Sequence, residues 1–76
     1  MTWEYRVIRH LEPAPGGKIY EWLTIHRVYY NGERITAWEP EQSKIGGETL
    51  EELGDDIEIM RLALTRPVLK AEDMPK

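Results

Sequence analysis

Two histidines, His10 and His26, are the residues of this chain best suited to hold a metal or move a proton, because imidazole titrates near neutrality and presents a nitrogen lone pair. A second candidate chemistry comes from six carboxylates crowded into one short stretch: Glu48, Glu51, Glu52, Asp55, Asp56 and Glu58. Such a cluster suits a divalent cation or a basic partner. A third comes from Arg6, Arg27, Tyr20, Trp22 and Tyr30, which mix cations with aromatic rings, the composition of a platform for single-stranded nucleic acid. Cysteine is absent, which excludes disulfides and thiolate metal sites and fits a reducing compartment.

The elements that must carry these groups can be read along the chain. Its 76 residues make one domain with a thin core, a size at which a second copy of the chain often supplies missing burial. Residues 3–10 alternate apolar and polar as a half-buried strand does. Pro13-Ala14-Pro15-Gly16-Gly17 then reads as a turn. Residues 19–30 are a β-branched and aromatic run, and Asn31-Gly32 is the preferred pair of a type I′ hairpin. Residues 33–39 return as a third strand that Pro40 stops. The two-residue turn sets Tyr30 opposite Glu33, Val28 opposite Ile35 and Ile25 opposite Trp38. In the first hairpin, pairing Arg9 with Glu21, Tyr5 with Ile25 and Glu4 with His26 satisfies both charge and apolarity. One face then carries Trp3, Tyr5, Val7, Leu23, Ile25 and Trp38. The other carries Ile8, Tyr20, Trp22, Val28, Tyr30, Ile35 and Ala37.

A helix follows. Thr49 is its N-cap and Glu52 stands three residues on, the spacing of a capping box. Leu50, Leu53, Ile57, Met60 and Leu64 form one apolar stripe. Acids lead and Arg61 and Arg66 trail, matching the helix dipole, and Pro67 ends the run. Val68-Leu69 is a candidate short edge strand, and residues 71–76 read as a disordered tail after a domain over 1–70. The fold class is therefore α+β: an antiparallel three-stranded meander followed by one amphipathic helix packed on one face. One helix covers one face only. The second face, rich in Trp22, Val28 and Ile35, is too apolar for water, so these three residues are expected to bury it by self-association into a homodimer.

Placed on these elements, most candidate chemistry recedes. The expected register puts His10 and His26 six residues apart along the sheet, roughly 20 Å, too far to share a metal. No Ser, Thr or Cys nucleophile is set beside His26, so hydrogen-bonded sheet histidines are the simpler account. Gly46-Gly47 could cradle an anion at the helix start, but Glu48, Glu51 and Glu52 occupy that field. Most of the carboxylates serve capping and solvation. With 14 acidic against 10 basic residues, a net charge of −4 opposes binding to a phosphate backbone and admits a basic protein. No catalytic residue, cofactor or metal is expected. There is no apolar leader and no apolar run long enough to cross a membrane, so a cytoplasmic protein is expected.

The order strand–strand–strand–helix, with Gly47-Glu48-Thr49-Leu50-Glu51-Glu52-Leu53 opening the helix, resembles the HicB-like antitoxin domain, a truncated relative of the double-stranded-RNA-binding domain. Gly47, Thr49, Glu51, Glu52 and Leu53 match that family's segment at the helix start, and Tyr5-Arg6-Val7-Ile8 matches its opening strand. Residues 38–46 lack the family's Pro-x-x-Pro-Gly-like passage, and no DNA-binding segment follows the helix, so a stand-alone relative is expected. The resemblance implies a non-enzymatic protein-binding module, antitoxin-like in masking a small basic partner. Glu51, Asp55 and Glu58 are the expected partner-binding residues. The alternative is a single-stranded nucleic-acid binder working through the aromatic sheet face.

Overall fold

The structure, a computed structural model, describes residues 1–75. It is α+β, with a curled sheet of four strands in the order β3-β2-β1-β4 and one helix. β1 (Thr2–Ala14) and β2 (Lys18–Asn31) form one long antiparallel hairpin, and β3 (Arg34–Trp38) lies outside β2. α1 (Leu50–Arg61) is followed by a 3-10 turn over Leu62–Thr65 and by β4 (Leu69–Lys70). β4 runs parallel to β1, with Ile8 opposite Leu69 and Arg9 opposite Lys70. The expected purely antiparallel meander is thus corrected to a mixed sheet. A strand that returns after a helix comes back in the direction of its neighbour, as crossover connections require.

The register of the first hairpin differs from expectation by two residues: Tyr5 lies opposite Arg27, Arg9 opposite Leu23 and Glu4 opposite Val28. The cause is the connection. β1 continues through Pro13 to Ala14, and only Pro15-Gly16-Gly17 turns, with both glycines at positive φ (82° and 75°). Pro13 is tolerated because β4 is short and leaves that stretch of β1 without a second neighbour. A shift of two keeps every residue of β1 and β2 on its expected face. The second turn moves by one. Asn31 pairs with Arg34, and Gly32 alone takes positive φ (65°), which fits type II′ rather than type I′. A bulge then leaves Thr36 unpaired between Ile35 and Ala37. One extra residue reverses the faces beyond it, so Trp38 pairs with Val28 on the second face and Ala37 with Tyr29 on the first, the opposite of the expected assignment.

The helix covers the first face, where Tyr5, Val7 and Ile25 pack against Met60 and Ala63. Thr49 caps it as expected, its Oγ1 accepting from the Glu52 N–H at 3.1 Å. Glu52 closes the reciprocal contact one residue early, accepting from the Glu48 N–H at 2.8 Å. The expected stripe is only half used. Met60 is buried and Leu53 half-buried, but Leu50 is 87% and Leu64 69% exposed. The sheet meets the flank bearing Leu53, Asp56, Met60 and Ala63, and the tightening to 3-10 geometry after Arg61 takes Leu64 off the line.

The second face is closed from within the chain. Ile8 and Val28 are fully buried beneath Met74, with Tyr30, Ile35, Trp38, Leu69 and Ala71 around them. Residues 71–73 form a 3-10 turn, and the Trp38 indole N–H donates to the Pro75 carbonyl at 3.0 Å. The expectation of a disordered tail over 71–76 is therefore corrected for 71–75; Lys76 lies outside the described residues. Arg6 secures the return of the chain, donating to Tyr30 Oη at 2.7 Å and to the Pro67 carbonyl at 2.6 Å, with Glu4 alongside at 3.3 Å. Among the described residues, no helix is long and apolar enough to cross a membrane.

Candidate functional site

The corrected register brings the two histidines together. His10 lies opposite Trp22, and Thr24 and His26 follow on the same face of β2. That leaves His10 and His26 four residues apart along the ladder, a span their side chains bridge: their Nε2 atoms are 3.3 Å apart. The separation expected from sequence, which kept them from sharing a ligand, is overturned. Thr24 stands between them, its Oγ1 2.7 Å from His10 Nε2 and 2.6 Å from His26 Nε2. The rings form an aromatic row. Trp22 stacks on His10 with centroids 4.6 Å apart, His10 and His26 lie 5.3 Å apart, and Trp38 sits 5.1 Å from His26.

The proton positions follow from the partners. His26 Nδ1 lies 2.8 Å from the Glu39 carbonyl oxygen, which only accepts, so Nδ1 carries the hydrogen. The Nε2 of neutral His26 is then an acceptor, and the Thr24 hydroxyl donates to it. Thr24 Oγ1 in turn accepts from His10 Nε2–H. Burial pushes the His26 pKa below its usual value, His10 adds to that, and the Glu39 carbonyl opposes it. His26 is 1% exposed.

The Glu39 carbonyl reaches His26 because residues 39–43 keep to the edge of β2 after the strand itself ends. The Glu39 N–H donates to the Arg27 carbonyl at 3.0 Å and the Ser43 N–H to the Ile25 carbonyl at 2.8 Å. Pro40, Glu41, Gln42 and Lys44 thereby wall a cleft of about 360 Å³ whose other side is His10, Trp22, Thr24 and His26. Among the described residues, no group of three or more His, Asp or Glu side chains converges as a ligand set.

Glu51, Asp55 and Glu58 lie on the outward side of α1, all exposed. Glu58 pairs with Arg61 at 3.0 Å, while among the described residues Glu51 and Asp55 have no ion-pair partner. Asp55 also borders a second cleft with Arg27, Lys44 and Glu52. Asp56 faces inward, accepting from Tyr5 Oη at 3.3 Å and from the Gly46 N–H at 3.1 Å. It is a tether between helix, sheet and loop.

The self-association set does not hold as a surface. Val28 has no exposed area and Ile35 packs into the core that Met74 closes, because the chain's own C-terminal segment supplies the cover expected of a second subunit. Trp22 belongs instead to the histidine cleft. Thr24 and the Glu39 carbonyl were not expected in any site. The alternation Trp22-x-Thr24-x-His26 placed Thr24 on the right face, but only the three-dimensional path of residues 39–43 shows what it meets. Compared with protein-family models, with curated proteins and with solved structures, the chain matches none.

Proposed function

We propose that the protein is a small, non-enzymatic protein-binding module that masks a basic partner with the outward surface of α1, in the manner the HicB-like resemblance implies. The observation that supports this reading is the unpaired acidic surface of Glu51 and Asp55, extended by Glu58 and bordered by exposed Ile59 and Leu62. An acidic, partly apolar helix face attracts a basic protein by steering and offers apolar area for its burial. The alternative reading is a single-stranded nucleic-acid binder working through the aromatic sheet face, where Tyr20 is exposed and Tyr30 lies against the C-terminal segment.

The test is native mass spectrometry of tagged protein from its own host, with the triple variant Glu51→Lys, Asp55→Lys, Glu58→Lys in parallel. The expected result is a small basic protein at fixed stoichiometry with the parent chain and none with a folded triple variant. Equal capture by both would refute the assignment of the surface.

A further inference from the structure

We propose that His10 and His26 are the two protein ligands of a divalent transition-metal site of the zinc, nickel or copper(II) class, opening into the cleft walled by residues 40–44. The inference is independent of the acidic helix surface.

The geometry carries it. A tetrahedral ion about 2.05 Å from each of two imidazole nitrogens holds those nitrogens about 3.3 Å apart, and the ring centroids, each about 1.15 Å behind its nitrogen, about 5.2 Å apart. The nitrogens of His10 and His26 are 3.3 Å apart and their centroids 5.3 Å apart. Two rings facing head-on at the same nitrogen distance would have centroids about 5.6 Å apart, so the pair is angled rather than head-on, which leaves room for a point that both nitrogens can reach. The Thr24 hydroxyl, 2.7 and 2.6 Å from the two nitrogens, marks that point.

The surroundings suit a ligand role. Metal-binding histidines commonly donate their second ring N–H to a carbonyl, which fixes the ring and leaves the other nitrogen free for the metal. His26 Nδ1 makes this contact with Glu39 at 2.8 Å. His10 is held against Trp22, ring on ring. Binding needs the Nε2 lone pair of His10, so the hydrogen that Nε2 gives to Thr24 must leave it, and Thr24 must turn its hydroxyl aside. The remaining coordination positions face the cleft, where water or an exogenous donor completes the shell. Glu41 and Lys44 border it with opposite charges, so neither sign of charge dominates the entrance.

The same cluster does not carry a nucleophile. Thr24 lies inside β2, not at a strand-to-helix turn, and its hydroxyl is held by both imidazoles.

The experiment is titration of the full chain with zinc chloride by calorimetry, repeated with cobalt(II) to read the visible ligand-field spectrum. Parallel variants are His10→Ala, His26→Asn and Thr24→Ala, each checked for fold by circular dichroism. The expected result is one ion per chain and a cobalt spectrum of the intense tetrahedral type. Affinity should fall at least about tenfold in either histidine variant and be retained or raised in Thr24→Ala, which clears the point of convergence. Because His26 is buried, His10→Ala, at a half-buried position, keeps the test decisive if His26→Asn unfolds. No saturable binding up to about 1 mM zinc, or binding that His10→Ala leaves unchanged, overturns the site.

Discussion

Truncating Met74 to alanine tests whether the chain closes its own second face. Met74 is 8% exposed and covers Ile8 and Val28, neither of which has any exposed area. Removing a buried methionine side chain to Cβ costs about 2–5 kcal/mol, set by how far the site can collapse. The Met74 segment is a single layer over the sheet and can settle inward, so the lower end applies, about 2 kcal/mol. Stability for a chain of this size is about 4–11 kcal/mol, so the loss is a large fraction of the whole. It corresponds to a fall in Tm of about 8–16 °C. Urea denaturation with Trp fluorescence is the assay, since Trp38 touches the same segment through Pro75. Asp73→Ala, at an exposed neighbouring position, should change stability by less than about 0.5 kcal/mol. If Met74→Ala is equally silent, the segment does not cover the sheet and the account of the second face fails.

Two further outcomes can be checked in the same assay. A Cβ at Gly47 would lie 2.7 Å from Leu53 N and 2.8 Å from Glu52 Cβ, whereas one at Gly46 meets nothing within 4 Å. Gly47→Ala should therefore cost about 1–3 kcal/mol through overpacking at the helix start, and Gly46→Ala almost nothing; equal effects would refute the close approach. Stability should also respond to acid through His26. Its folded-state pKa lies below the usual 6.5 because burial disfavours the charge. The unfolded chain therefore takes up the proton first as pH falls. The His26 contribution is full above about pH 6.5, declines as pH drops toward the folded-state value, and levels off below it. Urea midpoints between pH 8 and 5 should show this decline in the parent chain and less of it in His26→Gln. Identical pH profiles would sink the assignment.

The helix and the long hairpin were legible because their signals are local. Thr49 with Glu52, and the alternation of Trp3, Tyr5 and Val7, act over a few residues. What the sequence concealed depends on residues far apart. The partners of Ile8 are Val28 and Met74, and no pattern near residue 74 announces that a polar, Pro-containing segment will cover a sheet. The histidine pair was missed for a related reason. A two-residue difference in hairpin register leaves the apolar faces intact, so patterning cannot detect it, yet it decides whether two imidazoles can meet. The bulge at Thr36 likewise exchanged Ala37 and Trp38 between faces without altering composition. The helix stripe was visible, but which flank of it the sheet would take was not.

The parallel pairing of β4 with β1 has a consequence for how the chain reaches this fold. Ile8 is made well before Leu69, so of the two neighbours of β1 the parallel one arrives later. Contacts so distant in sequence form only after a large loop has been closed, which slows folding relative to local hairpins. At synthesis rates of about 5–20 residues per second, roughly 2–7 s separate the completion of β3 from the emergence of Met74. Throughout that interval the nascent hairpin shows Ile8 and Val28 to its surroundings. The protein's most vulnerable moment is therefore during its own translation, when a chaperone or a neighbouring nascent chain has access to a surface that the finished molecule never displays.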